Sequence, residues 1–91
     1  MTLEELYQII EKRKQEKPEN SYSSSLFNQG EDRIIQKVGE EATEVLIAAK
    51  NGNKKEIISE VADLWFHSVV LLAVFDLSPK DILDELESRK K

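Results

Sequence analysis

The chain has 91 residues, no cysteine, and 18 Asp and Glu against 13 Lys and Arg, for a formal net charge of −5. That length fits one domain, residues 1–91, and the lack of cysteine excludes a disulfide scaffold and a thiolate zinc site. The acidic balance argues against a nucleic-acid or anionic-membrane partner, although bound cations can invert a local field.

Thr2 and Glu5 stand at capping-box spacing, and Leu3, Leu6, Tyr7 and Ile10 share one face of the helix that follows. Pro18 closes it. Residues 18 to about 27, rich in Ser and Asn, are predicted as a loop. Two readings stand for it: a plain connector, or a segment whose hydroxyls donate to phosphate oxygens. A second helix is predicted from Leu26 or Phe27 to Lys50, with Gly30 loosening its first turns and Ile35, Val38, Ala42, Val45 and Ala49 as its apolar stripe. Asn51-Gly52 is a left-handed stop, and Asn53 with Glu56 starts a third helix running to Phe75 or Asp76. Its second half, Leu64 to Phe75, is apolar nearly all round. Ser78-Pro79 opens a last helix that is expected to bury Ile82, Leu83 and Leu86 and to fray through Arg89-Lys90-Lys91.

The expected architecture is therefore all-α, with four helices per chain and a long antiparallel helix hairpin. A helix that is apolar on every side must be surrounded, and the other helices are too short to do this. A homodimer sharing one bundle core is the simplest solution. The Leu64–Phe75 stretch is too short to span a bilayer, and the N-terminus lacks the order of a signal peptide. A soluble, cytoplasmic protein with no membrane partner is expected.

At 100° per residue, Glu40, Glu41 and Glu44 share a sector of the second helix with Lys37. Glu60 and Asp63 share a face of the third, with Glu56 a turn before and His67 a turn after. The tight Asn-Gly turn makes the two helices antiparallel neighbours, which brings the acid sets level. Each pair taken alone reads as an ordinary solvated face. Five acids facing one another repel, and a hard divalent cation such as Mg²⁺ or Mn²⁺ would neutralise them with oxygen-only ligands. A di-iron bundle would need Glu-x-x-His on two helices, and the chain has one histidine. His67 itself reads either as a hydrogen-bonded core residue or as a substrate or metal contact.

Glu40-Glu41-x-x-Glu44 with Glu60-x-x-Asp63 resembles the signature of the all-α nucleoside triphosphate pyrophosphohydrolase superfamily. The wider strings Ser21-Tyr22-Ser23, Gly30-Glu31-Asp32-Arg33-Ile34 and Lys37-Val38-Gly39-Glu40-Glu41-Ala42-Thr43-Glu44 resemble the phosphoribosyl-ATP pyrophosphohydrolase family of histidine biosynthesis. Arg33 stands where that family often has Lys, and Ser23 where Thr is common; both keep the chemistry. The resemblance implies Mg²⁺-dependent hydrolysis of phosphoribosyl-ATP to phosphoribosyl-AMP and pyrophosphate. It also implies Glu41, Glu44, Glu60 and Asp63 as metal ligands. Glu40 would be an outer ligand or would orient the attacking water. Arg33, Lys37, Tyr22, Ser23, Ser25 and His67 would be placed on the substrate. Two alternatives remain at this point: a house-cleaning nucleoside triphosphate pyrophosphohydrolase, and a non-catalytic helical dimerisation module. Setting the five proposed site acids aside leaves 13 acidic residues against 13 basic ones, so the net charge is concentrated in one place.

Overall fold

The structure is a computed structural model and describes residues 1–90; Lys91, expected in the terminal fray, lies outside the described residues. The described residues form five helices: α1 (Leu3–Glu16), α2 (Tyr22–Gln29), α3 (Glu31–Asn51), α4 (Lys54–Val74) and α5 (Pro79–Ser88). The described residues contain no strand.

The ends of these helices follow from local chemistry. The Thr2 hydroxyl accepts from the Glu5 amide at 3.0 Å, and the Glu5 carboxylate accepts from the Thr2 amide at 3.1 Å. Lys17 leaves α1 in the left-handed region ahead of Pro18. Gly52 stops α3 at φ 72°, and Asn53 caps α4 by accepting from the Glu56 amide. Asp81 reaches back to the Ser78 amide at 2.9 Å at the start of α5.

The expected loop over residues 18–27 is corrected: most of it is α2. Ser21 caps this helix by accepting from the Ser24 amide, and Leu26 buries itself in the core. Four helices therefore become five. The break falls at Gly30, whose φ of +100° lies outside the reach of an ordinary L-residue, so α2 and α3 cannot merge.

The hairpin of α3 and α4 is the largest packing unit, and α1 lies across α4. Ile10, Leu26, Ile34, Val69, Val70 and Ala73 form the buried core, flanked by Leu3, Leu6, Tyr7, Phe27 and Phe66. Burial of each large aliphatic residue contributes roughly 1.5–3 kcal/mol. The inward row of α3 keeps Val38 and Val45 of the expected stripe and shifts by one residue at the other three positions. Ile34 and Ala48 are buried, whereas Ile35 and Ala49 are exposed. The row thus runs Ile34, Val38, Glu41, Val45, Ala48 and carries Glu41 toward α4.

A second correction concerns α5. Ile82, Leu83 and Leu86 are about half exposed, as are Trp65 and Ile47, and Ile58 and Leu46 more so. By length and composition α4 is apolar enough to cross a membrane; 22% of that window is buried within one copy, and it includes Glu60 and Asp63.

Candidate active site

The turn at Gly52 sets the register of the hairpin. Counted outward from it in equal helical turns, Glu44 comes level with Glu60, Glu41 with Asp63, and Lys37 with His67. Glu41, Glu60 and Asp63 each offer a carboxylate oxygen, and these oxygens lie within 4.8 Å of one another. Burial of Glu60 and then the charges of Asp63, Glu44, Glu41 and Glu56 hold its pKa above the ordinary 4.5. Glu41 is the most enclosed of the three, with its side chain 12% exposed. Glu44 is exposed and outside the triplet, although its charge reaches Glu60.

Glu40 points elsewhere. Its carboxylate is 3.3 Å from Arg33 and 3.3 Å from Lys37. The hydrogen bond from Lys37, aided by Arg33, holds its pKa below the ordinary range. Lys37 also lies 3.2 Å from Glu41. Burial works to lower the Lys37 pKa, but hydrogen bonds to Glu41 and Glu40 outweigh it and raise the value. Basic and acidic side chains thus form one continuous run from Arg33 to the triplet.

The far end of the run is aromatic. His67 Nδ1 is 2.7 Å from the Asp63 carbonyl oxygen, which can only accept, so Nδ1 carries the proton. Nε2 is then the acceptor, and the Tyr22 hydroxyl donates to it at 2.9 Å. The Tyr22 ring stacks against Phe66 with centroids 6.0 Å apart, and Phe66 meets His67 edge-on at 5.1 Å.

Of the residues that the sequence places on substrate, Arg33, Lys37, Tyr22 and His67 border the carboxylates. Ser25 donates to the Tyr22 carbonyl at 2.8 Å, and Ser23 is buried in the core side of α2. Sequence reasoning missed the Tyr22–His67 bond. It links residues on different helices, and no spacing rule reports such a pair.

Chemically, the triplet is a set of hard oxygen donors with no sulfur and no nitrogen, which suits a hard divalent cation. Fold and site together define a class: an all-α protein whose helix hairpin carries an acidic cluster able to bind metal, with basic groups at its edge. The sequence pattern of the family described as phosphoribosyl-ATP pyrophosphohydrolase matches residues 3–90. The chain belongs to that family. It is similar to the phosphoribosyl-ATP pyrophosphatase of Pelotomaculum thermopropionicum, with 51% identity over 98% of this chain and 91% of that one. The protein of the same name in Geobacter sulfurreducens is 52% identical over 96% of this chain and 81% of its own. That of Methanocella arvoryzae is 50% identical over 98% and 96%.

Proposed function

We propose that the chain hydrolyses phosphoribosyl-ATP to phosphoribosyl-AMP and pyrophosphate in cytoplasmic histidine biosynthesis, acting as a single domain. One observation carries this reading: a carboxylate triplet on facing helices, bordered by Lys37 and Arg33, in a chain of this family. Glu41, Glu60 and Asp63, joined by Glu44, are the residues to hold Mg²⁺, with Mn²⁺ as a substitute of similar hardness. When bound, the cation supplies charge neutralisation for the triphosphate, a lowered pKa for the attacking water and support for the pyrophosphate leaving group.

The protein's own groups do the rest. Arg33 and Lys37 hold phosphate oxygens once they exchange Glu40 for substrate. Glu40, with its lowered pKa, is a weak base: it orients water by accepting a hydrogen bond rather than by taking the proton. Tyr22, Ser23, Ser25 and His67 were assigned to substrate from the resemblance. Ser23, being buried, and Ser25, spent on the Tyr22 carbonyl, belong to the support of α2 in this arrangement. The test is pyrophosphate release from phosphoribosyl-ATP beside a panel of nucleoside triphosphates. Efficient turnover of the panel with none of phosphoribosyl-ATP would overturn the reading in favour of a house-cleaning enzyme.

The working form is a homodimer. The support is the apolar surface of Leu46, Ile58, Trp65 and Leu83, which one copy leaves in water and a second copy would cover.

A further inference from the structure

Lys37 and His67 form the first rung of the hairpin beyond the carboxylates. Tyr22 closes that rung from α2. Its hydroxyl donates to His67 Nε2 at 2.9 Å, and His67 comes level with Lys37 across the hairpin. The imidazole is committed at both nitrogens, because Nδ1–H is given to the Asp63 carbonyl at 2.7 Å. Both of its polar atoms are therefore spent inside the protein, and the ring is 5% exposed. Tyr22, by contrast, is half exposed, yet it is held at a fixed angle by Phe66 and His67. The helix that carries it is eight residues long, entered from Lys17-Pro18 and left through the Gly30 turn. Ser24 ties the same end to α1 through the Arg13 carbonyl at 3.3 Å, and the Tyr22 hydroxyl ties it to α4.

We propose that the Tyr22–His67 hydrogen bond is a latch that holds the amino end of α2 beside the carboxylate site, and that Tyr22 and His67 are positioning residues for Lys37 rather than substrate contacts. With the latch closed, Tyr22 and His67 stand one rung beyond Glu41 and Asp63, level with Lys37, whose side chain is 17% exposed. With the latch open, α2 keeps Leu26 in the core and the Tyr22–Phe66 stack but loses its polar tie to α4, and Lys37 gains freedom that substrate binding must remove. The loss falls on ground-state binding and so on KM more than on kcat. The inference rests on the phosphoribosyl-ATP reading.

The test is a double-mutant cycle on the full chain with Mg²⁺, pairing Tyr22→Phe with His67→Phe and adding His67→Gln, whose amide oxygen can accept from Tyr22. Each Phe variant is expected to raise KM for phosphoribosyl-ATP about five- to tenfold, the range of one lost hydrogen bond, with kcat within about threefold. The double variant should be no worse than the worse single one, and His67→Gln should recover most of the loss. Multiplying effects would make the two residues independent substrate contacts, and an unchanged KM would leave the bond without a role; either overturns the latch. Wild-type protein with no turnover of phosphoribosyl-ATP would defeat the functional reading instead. Amide hydrogen exchange then decides the latch: equal acceleration across α2 in both single variants and the double supports it, and unchanged exchange overturns it.

Discussion

Lys37 Nζ stands 3.2 Å from Glu41, one helical turn along α3, and Glu41 is a member of the carboxylate triplet shared with α4. The pair is partly buried on both sides, with side-chain exposures of 17% and 12%. A lysine so placed has two partners to choose between. Without cations it offsets part of the acidic repulsion. On the proposed reading a cation would engage Glu41 and release the ammonium toward phosphate, so the same side chain would compete with metal and cooperate with substrate.

Replacing Lys37 with Met separates those two roles. The variant is expected to bind Mn²⁺ a few-fold more tightly in the absence of substrate, because the internal competitor for Glu41 is gone. Its KM for phosphoribosyl-ATP should rise about 10- to 100-fold, as a charge-assisted phosphate contact is lost. Metal titration by calorimetry and steady-state kinetics check the two halves. Weaker metal binding in the variant would refute the competition.

Asp63→Asn removes one charge from the triplet and leaves the shape of the side chain unchanged. Activity should fall by at least about 100-fold, in the range seen when a group that stabilises transition-state charge is lost. The fold should survive and the metal-free melting temperature should be unchanged or higher, because like-charge repulsion is relieved. Wild-type protein should melt higher with millimolar Mg²⁺, and the variant should not. Differential scanning calorimetry with and without Mg²⁺ separates this from a purely structural acid, for which neither protein would respond.

The two perturbed glutamates have opposite pH signatures. Glu60 has a folded-state pKa above its ordinary 4.5, so the native state binds more protons than the unfolded chain between those values. Its effect on metal-free stability is absent below about pH 4.5, and stability falls as pH rises through the raised folded value. Glu40 is depressed, so its contribution is present above pH 4.5 and is lost as pH falls through the lower folded value. Thermal melts of Glu60→Gln and Glu40→Gln against wild type from pH 3 to 7 should diverge in opposite directions. With saturating Mg²⁺ the Glu60 difference should reverse, because the ionised form then has a partner.

Much of this site was legible in the sequence. The caps at Thr2, Gly52 and Asn53 and the acid spacing on α3 and α4 carry their information in residue type and period alone. The inward row of α3 was not settled by period, because Ile34-Ile35 and Ala48-Ala49 are adjacent apolar pairs and a stripe through either fits equally well. Packing on α4 selected the row that includes Glu41. The stretch Tyr22–Gln29 hid a helix because serine competes for backbone hydrogen bonds; only the Ser21 cap and the burial of Leu26 make helix the better outcome. Helix angle alone groups Glu40 with the triplet, but its carboxylate pairs with Arg33 and Lys37, each at 3.3 Å.

The apolar character of α4 divides between two uses. Val70 is fully buried within a single copy, so charging it would destroy the fold and say nothing about assembly. Trp65 and Ile58 are 57% and 72% exposed, and they line an open apolar surface with Ile57, Val61 and Ala62. Trp65→Glu or Ile58→Glu should therefore shift sedimentation from dimer to monomer and lower the melting temperature at equal concentration, without abolishing helical circular dichroism. A variant that sediments unchanged would place the interface elsewhere, and a wild-type monomer would refute the dimer.

Lys14 ties the start of the chain to the end of α4. Its ammonium donates to the Ala73 carbonyl at 2.7 Å and to Asp76 at 3.2 Å, at the carboxyl end of the helix, where a cation also meets the favourable end of the helix dipole. Glu11 is 3.9 Å from the same ammonium, and its second oxygen, Oε2, is buried without a hydrogen-bond partner. Asp76 itself is held in the left-handed region at φ 57°, which Asp tolerates better than most residues. Lys14→Met keeps the aliphatic stem but removes all three interactions at once. The expected loss is about 1–3 kcal/mol, led by the charge-assisted hydrogen bond to the Ala73 carbonyl, with the Glu11 carboxylate left without a nearby cation adding to it. Adding Glu11→Gln should recover part of that loss, because a neutral amide tolerates the site better than an unpaired charge, whereas Asp76→Asn on its own should cost little, its carboxylate being 87% exposed. Urea unfolding of the three variants distinguishes these contributions, and an additive Lys14 and Glu11 pair would show that the two residues do not act together.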